Sequence, residues 1–105
     1  MINVSIFYPN TEGSRFDFDY YLNQHMPMTI EKLSPALRRV SVEHGVGGGE
    51  PGSSAEFVAI CHLYFDSVEA FLAAFGPHAE TLQGDIPNYT DVRPIIQFSD
   101  VKLTR

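Results

Sequence analysis

A histidine two residues ahead of a proline is the first place where this sequence could do chemistry. His25 stands in the run His25-Met26-Pro27. A proline inside a helix removes one backbone donor and clashes with the preceding turn. A helix broken there would turn the imidazole toward a pocket, and its ordinary pKa suits proton transfer near neutrality. The plainer role is to bond carbonyls freed by the break. His62 and Tyr64 form a second candidate pair. Spaced by two on a strand, they project from the same face, where they could shuttle a proton or bind a carbonyl or phenol. Otherwise they are a hydrogen-bonded pair satisfying a buried surface.

The remaining polar residues are weaker candidates. Ser41, Glu43 and Gln97 fall on strand positions that share the face of His62, and would orient a ligand or simply meet solvent. His44 reads as structural, and His78 follows Gly76-Pro77, where capping is the commoner use. Tyr89, in a Pro-Asn loop, would cover a pocket mouth or pack its own loop. Cys61 sits inside an apolar run and reads as an inert thiol. No His pair has helical i,i+4 spacing and no His/Cys cluster exists, so spacing gives no metal site. Gly-x-Ser-x-Gly, P-loop and dinucleotide patterns are absent, and Gly47-Gly48-Gly49 opens no helix. The expectation is chemistry with no bound cofactor.

These residues need elements to hold them. Residues 2–8 alternate, with Ile2, Val4, Ile6 and Tyr8 on one side, as a half-buried strand does. Asp17 is placed to cap a helix in which Phe18, Tyr21, Leu22 and Met26 recur at helical spacing. Ile30 and Leu33 continue the stripe to Ser34-Pro35, with a kink or restart predicted at Pro27. Residues 38–44 read as a second strand and 45–55 as a glycine-rich loop. Residues 56–65 form the longest apolar run and the predicted central strand, with Phe57, Ala59, Cys61, Leu63 and Phe65 opposing Val58, Ile60, His62 and Tyr64. Asp66-Ser67 caps a second helix with Val68, Phe71, Leu72 and Phe75 inward. Gly76-Pro77 bends it, and 77–83 adds a turn or two. Residues 85–91 are a loop and 92–103 a last strand. The order β-α-β-β-α-β predicts an α+β, ferredoxin-like sandwich, a four-stranded antiparallel sheet with both helices on one face.

That arrangement leaves one sheet face uncovered. It would carry Ser5, Phe7, Ser41, Glu43, Ile60, His62, Tyr64, Ile95 and Gln97, too apolar for water and too polar for an ordinary core. Pairing two such faces would bury Phe7, Ile60 and Ile95 and enclose the polar groups. A homodimer with a pocket between its sheets is therefore expected, lined by Ser5, Phe7, Glu43, Ile60, Ile95 and Gln97, with Tyr89 near its mouth.

Bulk properties narrow the classes. The 105 residues suit one domain spanning 1–105. Hydrophobic residues make up 44 % and aromatics 12 %, which is globular composition. The net charge of −6 comes from 13 acidic and 7 basic residues. With Arg38-Arg39 as the one basic cluster, this argues against nucleic acid. A single cysteine excludes an intrachain disulfide. No apolar run reaches membrane-spanning length and the N-terminus lacks signal-peptide features, so a cytoplasmic location is expected.

Several segments together resemble the EthD family. They are Val4-Ser5-Ile6-Phe7-Tyr8-Pro9, Asp19-Tyr20-Tyr21-Leu22 leading into His25-Met26-Pro27, His62-Leu63-Tyr64-Phe65, Ser67-Val68-Glu69-Ala70-Phe71 and Gly84-Asp85-Ile86-Pro87-Asn88-Tyr89-Thr90. The resemblance covers nearly the whole chain in the right order. It implies the dimeric α+β barrel fold and gives weight to His25, because His-x-Pro is characteristic of the family. The family is named from a gene cluster for degrading ethyl tert-butyl ether, where its member accompanies a cytochrome P450 system. Wider relatives include cofactor-free monooxygenases, lactone isomerases and haem enzymes. The resemblance thus specifies fold more narrowly than reaction.

Two functions follow as expectations. One is an oxidoreductase-type enzyme that binds a small hydrophobic molecule and acts on it through His25, His62 and Tyr64. The other is a non-catalytic binding protein that serves a partner oxygenase system.

Overall fold

Alternation in the first residues yields strand β1, Ile2–Pro9, in the computed structural model, which describes residues 1–105. Three further strands follow: β2 (Arg39–His44), β3 (Phe57–Phe65) and β4 (Ile95–Asp100). They form one sheet in the order β2-β3-β1-β4. Every neighbouring pair is antiparallel. The most apolar run, β3, lies inside the sheet as its composition requires. The fold is the ferredoxin-like α+β sandwich.

β4 is shorter than its 92–103 pattern. Pro94 has no backbone donor for a ladder. Past Asp100, which faces Ile2, one last bond, from Val101 N to Met1 O at 3.1 Å, ends the pairing. The register of β1 on β3 slips between Tyr8 and Pro9. That bulge reverses the expected sides of two residues. Phe57 turns to the open face against Phe7, with ring centroids 5.0 Å apart, and Val58 packs on the helix-side core.

The helical layer has two arms. The first, α1 (residues 18–33), starts at Asp17, whose side chain accepts a hydrogen bond from Tyr20 N at 3.0 Å. Residues Tyr21–His25 form a π-turn, and a regular α-helical segment runs over Met26–Leu33. Pro27 would press its ring on the carbonyl of Asn23 in an unbroken α-helix. The wider turn just ahead of it absorbs that conflict, so the predicted kink takes the form of one extra residue in the turn. The second arm starts at Ser67, whose hydroxyl accepts from Ala70 N at 3.0 Å. It runs through α2 (Val68–Phe75), a 3₁₀ turn at Gly76–His78 and α3 (Ala79–Gly84).

The core is built from Val4, Tyr8, Tyr21, Leu33, Cys61 and Phe65, all at most 2 % exposed. Three residues of the predicted inward stripes are not in it: Leu22 is 48 %, Ile30 38 % and Leu72 55 % exposed. Each flanks a stripe whose inward place is taken by its neighbour, Tyr21, Thr29 and Phe71, all buried. His44 lies on the helix side, its ring 4.2 Å from that of Phe18. No helix is long and apolar enough to cross a membrane.

Candidate functional site

The two helical arms do not close over the whole sheet. Between them lies a cavity of about 370 Å³, within the usual size range of small-molecule sites. Its floor is Ile6, Leu63 and Ile96 of the sheet. One wall is α1, through His25, Thr29 and Leu33, and the other is Phe75, Leu82 and Ile86. Tyr8, Gln83, Tyr89, Arg93 and Pro94 complete it. The cavity is therefore on the helix side of the sheet and within one chain, a different place from the pocket that the sequence pattern expects between two paired uncovered faces. It lies beside the break of the second arm at Gly76-Pro77, and Ile96 of its floor is left 51 % exposed.

The π-turn decides what faces this cavity. Adding one residue to a turn rotates all that follows by roughly 100°. Tyr21, His25 and Met26 are all buried as a result, and Thr29 and Leu33 continue inward. His25 Nδ1 lies 2.9 Å from Asp85 Oδ2. Asp85 Oδ1 accepts from the Tyr20 hydroxyl at 2.6 Å and from Asn88 Nδ2 at 2.8 Å. Burial alone raises the Asp85 carboxyl, but the hydrogen bonds from Tyr20, Asn88 and His25 outweigh it and hold the group below its ordinary 3.8. Burial pushes the His25 imidazole below its ordinary 6.5, against the pull of Asp85.

The two shifts are consistent with one protonation state. At neutral pH Asp85 is a carboxylate and His25 a neutral imidazole. A carboxylate only accepts, so Nδ1 carries the proton and donates it. Nε2 then keeps its lone pair, and it has no hydrogen-bond partner in the protein. A buried neutral histidine at the wall of an apolar cavity, oriented by an aspartate and with Nε2 unbonded, has the chemistry a general base needs.

Comparison with known proteins bears on this site. The EthD domain profile matches residues 12–93, a span that includes both His25 and Asp85. The chain belongs to the EthD family. A crystal structure of an EthD-like protein from Ralstonia eutropha JMP134 is 44 % identical, with a TM-score of 0.94, covering 99 % of this chain and 94 % of that one. An EthD family protein from Bacillus halodurans C-125 shares the fold at 22 % identity and a TM-score of 0.66, over 96 % of this chain and 98 % of that one. HapK from Hahella chejuensis shares it at 15 % identity and a TM-score of 0.55, over 98 % and 96 %. No curated protein matches the sequence.

In this EthD domain the dyad rests on an aromatic shell. The His25 ring stacks on Tyr21, with centroids 5.5 Å apart, and lies 4.7 Å from Tyr89. The Tyr89 and Tyr8 hydroxyls are 2.7 Å apart. Burial pushes the Tyr8 phenol up to about 12, so it stays neutral. Burial raises the Tyr89 phenol too, and the Cys61 thiol to about 11. None of these is an acid at neutral pH. The loop carrying Asp85 is clipped in place from the other side: Thr90 Oγ1 donates to Arg15 O at 2.6 Å, and Arg15 Nη2 to Pro87 O at 2.8 Å.

The residues singled out in the sequence divide between two places. His25 and Tyr89 line the cavity. Tyr89 is fully buried there, so it packs the wall and does not cover a mouth. Ser5, Phe7, Glu43, Ile60, His62, Tyr64, Ile95 and Gln97 lie on the uncovered face and do not line this cavity. On that face His62 Nδ1 is 3.1 Å from both Asn3 Nδ2 and Ser5 Oγ, and Nε2 is 3.5 Å from Glu43 Oε1. Tyr64 makes no bond to His62, and its ring lies under the Arg39 guanidinium at 5.5 Å. Asp85 escaped the sequence reading. Asp85 and Asn88, three apart around Pro87, have the composition of an ordinary turn. Their one distinguishing signal was membership in the Gly84–Thr90 segment on which the family resemblance rests.

Proposed function

We propose that this EthD domain binds a small hydrophobic molecule in its helix-side cavity and takes a proton from it with His25. One observation carries the reading: His25, a cavity-lining residue, has Nδ1 tied to Asp85 at 2.9 Å and Nε2 without a hydrogen-bond partner. Proton transfer to Nε2 makes an imidazolium, which the Asp85 carboxylate stabilises in a low-dielectric site. The ligand becomes a carbanion or phenolate, an electron-rich form that oxidative degradation chemistry can use. Tyr20 and Asn88 keep Asp85 ionised, and Tyr21 and Tyr89 hold the ring plane.

We further propose that the domain works as a homodimer through its uncovered sheet face. Ile95 is 54 % exposed there, and Phe7, Phe57 and Ile60 are only partly covered. Asn3 Oδ1 is buried without a partner, which a second copy or an ordered water would supply.

A phenol whose neutral and ionised forms absorb differently, such as 4-nitrophenol, tests the base. Bound to the wild type at slightly acidic pH, it is expected to absorb as the anion, and bound to His25→Asn as the neutral phenol. Equal anion absorbance in the two proteins would rule out His25 as the acceptor. Deprotonation without turnover of any substrate would instead favour the carrier role beside an oxygenase.

A further inference from the structure

Arg93 is the one residue lining the cavity that is charged at neutral pH, once His25 is counted as neutral. It is exposed and sits beside Pro94, where the chain enters β4. Three other arginines of the chain are occupied. Arg38 Nη2 pairs with Asp66 at 2.8 Å, Arg39 lies over Tyr64, and Arg15 bonds the Pro87 carbonyl at 2.8 Å. Arg93 makes no hydrogen bond, ion pair or ring contact in the protein. This is notable in a chain of net charge −6. Glu12 and Asp91 share an adjoining groove with it, yet neither pairs with it, and Asp91 Oδ1 accepts instead from Arg15 N at 2.9 Å.

Resting on the reading of this cavity as a ligand site, we infer that Arg93 selects the ligand by charge. The ligand class is an apolar, ring-sized molecule carrying a single carboxylate. The body of such a molecule fits the floor of Ile6, Leu63 and Ile96, and Tyr89 and Phe75 add aromatic lining. Its charged end faces the guanidinium at the solvent side, where a carboxylate keeps part of its hydration. One positive charge lines the site, which matches a monoanion and not a phosphate ester, whose two charges call for more donors. The guanidinium also sets the pose, directing the far end of the molecule into the cavity where Nε2 of His25 is presented.

The test compares two probes of equal shape, 2-naphthoate and 2-naphthamide, by titration calorimetry. Naphthoate is already ionised at neutral pH, so its binding needs no proton acceptor. The wild type is expected to prefer naphthoate by about fivefold, the worth of one solvent-facing charge pair. Arg93→Gln is expected to erase that preference while leaving naphthamide affinity and melting temperature unchanged, since the side chain holds nothing in the fold. His25→Asn is expected to keep it. An unchanged preference in Arg93→Gln, or equal affinity for both probes in the wild type, would overturn the assignment and leave the proton-acceptor reading of His25 standing. Loss of the preference in His25→Asn alone would overturn it too, and would show an imidazolium in place of a neutral base.

Discussion

Replacing Asp85 by asparagine keeps the size of the side chain and removes the charge that fixes the tautomer of His25. The amide no longer favours an imidazolium, so the His25 pKa, already lowered by burial, is expected to fall further. The activity of the wild type should rise with pH through a value below 6.5 and then level off, because the neutral form is the base. Asp85→Asn should move that limb to lower pH and reduce the plateau, as measured by a pH–rate or pH–ionisation profile.

The same groups make the fold acid-sensitive. A folded-state pKa below the unfolded one means that the unfolded chain takes up the proton first. The contribution of His25 to stability is whole above 6.5 and is lost as pH falls toward its lower folded value. That of Asp85 is whole above 3.8 and is lost below it. Urea unfolding at stepped pH should show stability declining in that order, with the first decline absent in His25→Asn. Tyr8→Phe leaves the buried Tyr89 hydroxyl without its partner, and is expected to cost about 1–3 kcal/mol in the same assay.

At the scale of elements, the π-turn is what aims the base. Deleting the exposed Asn23 would return Tyr21–His25 to α-helical spacing and rotate His25 by roughly 100° relative to the residues before it. The shortened protein is expected to keep its helical circular dichroism while losing the ability to ionise a bound phenol. Retained ionisation would mean that the turn has no such role. Ser67→Ala removes the acceptor for Ala70 N and should cost about 1 kcal/mol without touching the cavity.

Elements were also the level at which the sequence was most legible. Strict alternation at Ile2–Tyr8, a cap at Asp17 and another at Ser67 leave little freedom in type or order. What alternation does not encode is a slip. The bulge that sends Phe57 to the open face and Val58 inward depends on how β1 and β3 pair, which neither strand states alone. The π-turn escapes for a related reason: Pro27 announces a conflict in the helix but not which of its solutions is taken.

At the scale of the whole molecule, the site became visible only through packing. His25 was legible because a proline stands two residues away. Its partner Asp85 is 60 positions further on, in a loop whose residues look like turn formers. The pattern of faces located an uncovered sheet surface, and the cavity within the single chain forms on the other side, beside the bend of the second helical arm at Gly76-Pro77. A cavity left where two packed arms do not cover the whole sheet has no periodic signature. The uncovered face has its own expected consequence. Light scattering should give twice the chain mass, and Ile60→Asp, at the centre of that face, should return the monomer while leaving the His25–Asp85 pair in place.

The tautomer of His25 decides between these possibilities most directly. In ¹⁵N-labelled protein at neutral pH, with His25→Asn to assign the signals, Nδ1 of His25 is expected to resonate as protonated and Nε2 as a bare, lone-pair nitrogen. Protonation of Nε2 should occur only below pH 6.5. A proton on Nε2 at neutral pH, as the opposite tautomer or as an imidazolium, would contradict a base facing the cavity.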